Sequence, residues 1–205
     1  TSFNPLFPKS MPNKTISSDV WGLNLEYEAK SGPGLGDLAY NKYHKFLYAS
    51  NFEDGKIYKI DPGTGNIINI FDPRFGDNSS NGLDNNADGF AARGQRPWAL
   101  GINKENNVTK LYYSNWKVDT RDTFPEPGTI YNDIWSVELD LVGNPLPLTE
   151  KLEITIPHLS LNHPERPFQY SSNPVSDMAF SENGEMYLSE RAMDHEYGRY
   201  IQIVW

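Results

Sequence analysis

Asp84, Asn86 and Asp88 stand at alternate positions in Asp84-Asn85-Asn86-Ala87-Asp88-Gly89. Oxygen-bearing side chains spaced this way, with a glycine to permit the sharp turn, match the start of an EF-hand-type calcium loop. Phe90 would add its backbone carbonyl. Ala92 and Gln95 hold the later ligand positions, so the expectation is a calcium-stiffened loop, weighed against a solvated Asn/Asp/Gly turn. A second register begins at Asp77 and takes in Ser79, Asn81, Asn85 and Asp88, with weaker early ligands.

Asp37 and Asp177 occupy matching places in two copies of a repeated segment, where a third copy has Ala99. Two carboxylates facing one channel could bind a cation or act as acid and base. The competing reading is that each caps backbone N–H groups of a neighbouring strand. His44, His158, His163 and His195 lack metal-ligand spacing and read as surface side chains. Glu190 and Arg191 read as an ion pair. No nucleophile elbow, zinc-protease helix motif or phosphate-cradling glycine loop occurs. Trp98, Tyr113, Trp116, Tyr131, Phe168 and Tyr170 lie in or beside insertions and are candidates for a surface that binds a protein or a sugar.

The chain around these residues has 205 residues, 38% hydrophobic and 13% aromatic, which is too rich in aromatics for disorder over most of its length. There are 18 Lys and Arg against 27 Asp and Glu, a net charge of −9, which disfavours nucleic acid and anionic membrane surfaces as partners. No apolar run is long enough to be a spanning helix. The absence of cysteine excludes disulfides and thiolate sites. Sequons at Asn13, Asn78 and Asn107 carry little weight in a chain with 20 Asn. With 16 Gly and 15 Pro as well, the composition supplies turns for many short strands.

The elements that would position the candidates repeat. Gly36-Asp37-Leu38-Ala39-Tyr40 precedes a turn and Phe46-Leu47-Tyr48-Ala49-Ser50-Asn51-Phe52. Pro97-Trp98-Ala99-Leu100-Gly101-Ile102 precedes Lys110-Leu111-Tyr112-Tyr113-Ser114-Asn115-Trp116, and Val175-Ser176-Asp177-Met178-Ala179-Phe180 precedes Met186-Tyr187-Leu188-Ser189-Glu190-Arg191. A third strand with period-two alternation follows each pair, at 56–61, 133–139 and 199–205. A fourth follows the first two units, at 66–71 and 152–156. The expectation is all-β: β-propeller blades of four antiparallel strands, in units of roughly 36–71, 96–156 and 174–205. An irregular β-sandwich is the competing fold. Residues 1–35 would be the remnant of a preceding blade, with Val20 to Tyr27 as its outer strand, and the propeller is expected to be incomplete.

Leu47-Tyr48-Ala49-Ser50-Asn51-Phe52-Glu53-Asp54-Gly55-Lys56-Ile57-Tyr58-Lys59-Ile60-Asp61 resembles blades of the NHL, YVTN and SMP-30-like propellers, and Ser176 to Tyr187 is similar to the inner half of that pattern. The inserts, acidity and lack of cysteine are similar to propellers of large bacterial cell-surface proteins. The resemblance implies the architecture and leaves function open, because the lineage holds binders and enzymes. Two functions are expected from it. One is an extracellular or cell-surface recognition or adhesion module, taking a protein or glycan through long loops. The other is a metal-dependent lactonase- or lyase-like enzyme with a cation held by Asp37 and Asp177.

Overall fold

A computed structural model describes residues 35–51, 54–74, 95–116, 130–157, 174–190 and 201–204. They form antiparallel sheets, with no α-helix among the described residues. The first sheet runs β1 (Leu35–Asn41), β2 (Phe46–Asn51), β3 (Ile57–Ile60) and β4 (Ile67–Phe71) in sequence order. The second repeats that order with β5 (Pro97–Glu105), β6 (Val108–Trp116), β7 (Ile130–Glu138) and β8 (Lys151–Pro157). The third has β9 (Val175–Phe180) and β11 (Ile201–Val204) at its edges and β10 (Met186–Glu190) between them. The expected units 36–71, 96–156 and 174–205 fall on these three sheets. The expected remnant at 1–35 lies outside the described residues, apart from Leu35.

The three sheets share a local design. In each, the first strand carries a bulge where it leaves its neighbour, between Leu35 and Leu38, Pro97 and Leu100, and Val175 and Asp177. The pairings Leu38–Ala49, Leu100–Tyr113 and Met178–Leu188 fix the equivalences. Asp37, Ala99 and Asp177 correspond, as do Tyr48, Tyr112 and Tyr187, and Ser50, Ser114 and Ser189. Short turns join the strands where the sequence supplies turn chemistry. Asn106 and Asn107 both take positive φ, 50° and 67°, in the two-residue link between β5 and β6. Asp61 accepts the Gly63 N–H at 2.8 Å and closes the turn before β4.

Each sheet is buried against the next because period-two strands give it two faces. Tyr48, Ile57 and Phe71 of the first sheet pack on Leu100, Leu111, Tyr113 and Val137 of the second. From the opposite face of the second sheet, Ala99, Tyr112, Ile134 and Ile156 pack on Val175, Met178 and Leu188 of the third. Burying each such side chain contributes about 1.5–3 kcal/mol. Gly101 lies at this second junction, where a Cβ would come within 2.6 Å of Met178 Cγ. The first strands β1, β5 and β9 lie beside one another, β5 in contact with both.

The β7–β8 connection adds a second tie between the first two sheets. Asp140 Oδ1 accepts the N–H groups of Val142 (3.0 Å) and Asn144 (2.7 Å) and shapes the turn. Gly143 sits there at φ +81°, where a Cβ would lie 3.0 Å from Tyr48 Oη and 3.1 Å from His44 Cβ. The Tyr48 hydroxyl donates to the Gly143 carbonyl. Buried Lys59 donates to the Val142 carbonyl at 2.6 Å and to Asn144 Oδ1 at 2.9 Å, with its ammonium 4.0 Å from the Phe46 ring centroid. Burial holds its pKa below the usual lysine value.

Candidate functional site

The antiparallel order sends four of the five connections of ten or more residues to one end of the sheets. The segments 72–96, 117–129, 158–174 and 191–200 all leave from strand ends on the side where β1, β5 and β9 begin. The opposite end carries tight turns and the docked β7–β8 connection. The strand ends on that side hold buried polar side chains: Asn51, Asn115, Asn132, Asp133 and Glu190.

Two serines clamp neighbouring sheets at this end. Ser50 Oγ accepts the Asp37 N–H at 2.9 Å and donates to the Trp98 carbonyl of the second sheet at 2.8 Å. Ser114 Oγ accepts the Ala99 N–H at 2.8 Å and donates to the Val175 carbonyl of the third sheet at 2.7 Å. Each hydroxyl pairs a backbone N–H freed by the bulge with a carbonyl on the adjacent first strand. Asn132 Oδ1 accepts the Val175 N–H at 3.0 Å, a second tie between the last two sheets. The repeated Ser50-Asn51 and Ser114-Asn115 pairs were visible in the sequence, but pattern alone did not reveal their bridging role.

Asp37 and Asp177 are equivalent residues on β1 and β9. Asp37 is committed to backbone: Oδ2 accepts the Leu100 N–H at 2.8 Å and Oδ1 accepts the Leu38 N–H at 2.7 Å. Burial raises its pKa, those two hydrogen bonds lower it, and the charge of Asp177 raises it further. The backbone-capping reading therefore describes Asp37. Asp177 is exposed and makes no such bond among the described residues. No cluster of three or more His, Asp or Glu able to hold a metal occurs among the described residues.

Glu190 is 8% exposed at the end of β10, in the place of Asn51 and Asn115. Burial pushes its pKa up to about 7. Arg191, its expected ion-pair partner, lies outside the described residues.

The aromatic candidates divide. Tyr113 is fully buried between the first two sheets, edge-on to Phe71 and with its hydroxyl on Glu150, so it is a core residue and not a binding surface. Its place on the face of β6 turned toward the first sheet decides this. Trp116 is also buried, packed edge-on against Trp98 with ring centroids 5.4 Å apart. Trp98 is half-buried at the end from which the long connections leave. Tyr131 falls within β7, but its side chain is outside the described residues, as are Phe168 and Tyr170. The calcium-loop residues Asp84, Asn86, Asp88 and Phe90, and the second register from Asp77, are outside them too, as are His158, His163 and His195. His44 lies in the β1–β2 turn, its Nδ1 3.0 Å from Asn41 Nδ2.

No family model matches the chain, and no curated protein matches it. Among solved structures, a protein of unknown function from Bacteroides caccae aligns at 9% identity with a TM-score of 0.33, over 82% of this chain. The aligned chain spans about 60% of that protein.

Proposed function

We propose that the three sheets are successive blades of a β-propeller of the NHL, YVTN and SMP-30-like kind, and that the protein is an extracellular or cell-surface recognition module. A protein or glycan partner would be held at the end of the blades from which the long connections leave. The observation that carries this reading is the segregation of connections: four of the five long ones leave from one end, and the fifth, 139–150, is docked back on the first sheet at the other. A rigid scaffold with its variable segments gathered on one end is how many folds build binding surfaces. Trp98 and the buried polar strand ends would form its floor, with Tyr131, Phe168, Tyr170 and a calcium-stiffened 84–90 segment as candidate contributors above.

The metal-dependent enzyme is the second reading. It is favoured by the electrostatic proximity of Asp37 and Asp177. The engagement of both Asp37 oxygens by backbone N–H groups weighs against it.

Arrays of bacterial and host glycans and of extracellular-matrix proteins test the binding function. Variants with 117–129 replaced by a short Gly-Asn link, or 158–173 by a Gly-Ser segment of the same length, are expected to melt like the wild type and to lose array binding. Binding that survives both replacements, or no binding by the wild type, would reject the loop-bearing end as the recognition surface.

A further inference from the structure

The two sheet-to-sheet junctions have one design, and each outer sheet presents a half of it that no other described sheet covers. In both junctions, a face bearing the Tyr and Ser of the second strand receives the face bearing the large apolar residue of the next sheet's first strand. Tyr48 and Ser50 face Leu100; Tyr112 and Ser114 face Met178. The third sheet carries the first kind of face again, on Tyr187, Ser189, Asp177 and Ala179. There Asp177 and Ala179 are exposed, and Tyr187 and Ser189 are half-exposed, although their equivalents Tyr48, Ser50, Tyr112 and Ser114 are all buried. The first sheet carries the second kind of face, on Leu38 and Tyr40 with Ile68 and Ile70 alongside. Leu38 is 56% exposed, whereas its equivalents Leu100 and Met178 are 2% and 6% exposed.

One polar group, the serine, repeats the design as well. Ser189 Oγ has no carbonyl to donate to among the described residues, while Ser50 and Ser114 each donate to the neighbouring first strand.

We propose that a second copy of this chain docks head to tail on the first, the Tyr187–Ser189 face of one copy covering the Leu38–Tyr40 face of the other. Ser189 then donates to a carbonyl of the partner copy's β1, as Ser50 and Ser114 do in the internal junctions. Leu38, Tyr40, Ile68 and Ile70 leave water, which drives the association. A contact between two different faces closes a ring if its rotation allows and otherwise extends. Either outcome raises the mass in solution.

Light scattering coupled to size exclusion tests this on the full 205-residue chain. The wild type is expected to associate with rising concentration, and Ser189→Ala to associate about fivefold more weakly for the loss of one hydrogen bond. Leu38→Glu and Ala179→Lys each spoil one face, and each is expected to be monomeric with an unchanged circular dichroism spectrum and melting curve. Mixed, these two variants retain one intact pair of faces and are expected to form a 1:1 complex. A wild type that stays monomeric at every concentration overturns the proposal. Association that survives both substitutions, or a mixture of the two folded variants that stays monomeric, overturns it too; in those cases another sheet or another protein covers these faces.

Discussion

Ser50 and Ser114 hold the sheets together through one atom each. Because the Ser114 hydroxyl pairs the Ala99 N–H with the Val175 carbonyl in a buried place, Ser114→Ala leaves both backbone groups unsatisfied. A cost of about 1–3 kcal/mol is expected, read as a lower urea midpoint with an unchanged slope. Glu190 acts in the opposite sense. Its folded pKa of about 7 lies above its ordinary 4.5, so the folded chain holds a proton that the unfolded chain releases. The penalty is absent below pH 4.5, grows across the window and is complete above about pH 7. Stability should therefore fall as pH rises from 4.5 to about 7. Glu190→Gln should remove that slope and melt above the wild type at the alkaline end; equal slopes in the two proteins would mean that Glu190 is not desolvated.

At the scale of elements, the spacing between the second and third sheets is set by a residue with no side chain. A Cβ at Gly101 would meet Met178 Cγ at 2.6 Å, Met178 Sδ at 2.8 Å and Phe180 Cε2 at 2.9 Å. Gly101→Ala is therefore expected to force β5 and β9 apart and to destabilise by about 1–3 kcal/mol. Met178→Ala alone leaves a cavity and also destabilises. Together they relieve one another, so a double-mutant cycle should give a combined loss smaller than the sum. Additive losses would show that the two sheets do not meet at this point. The bulge common to β1, β5 and β9 explains why the serine clamps recur: it turns a backbone N–H out of the ladder, and Ser at the matching place on the next strand receives it.

For the whole molecule, the proposed calcium segment gives a measurement that does not depend on a known ligand. If Asp84, Asn86 and Asp88 bind calcium only in the folded chain, a hundredfold excess over Kd adds about 2.7 kcal/mol. For a chain of this size that is a rise in Tm of roughly 5–10 °C. EDTA should reverse the rise, and Asp84→Ala should abolish it. A rise insensitive to Asp84→Ala but lost in Asp37→Ala would move the ion to the first strands and favour the enzyme reading over recognition. No effect of EDTA on the wild type would reduce the segment to a solvated turn.

The sequence by itself determined the strands and their antiparallel order. Period-two alternation and clusters of Asn, Asp, Gly and Pro are local signals, and they coincide with β1 to β10 to within a few residues. The matching places of Asp37, Ala99 and Asp177 were legible for the same reason, because a repeat preserves register. Only the tertiary structure decided which face of each strand meets which neighbour. Tyr112 and Tyr113 are adjacent and alike in type, yet one packs toward the third sheet and the other toward the first. That choice buried Tyr113 and Trp116, which sequence placed on a binding surface, and it gave Ser50 and Ser114 their bridging role. It also separated Asp37, whose oxygens are held by backbone, from the equivalent Asp177, which lies exposed. Alternation along a strand distinguishes two faces, but what lies opposite each is a contact between residues distant in the chain, and the energy of that contact is absent from any local pattern.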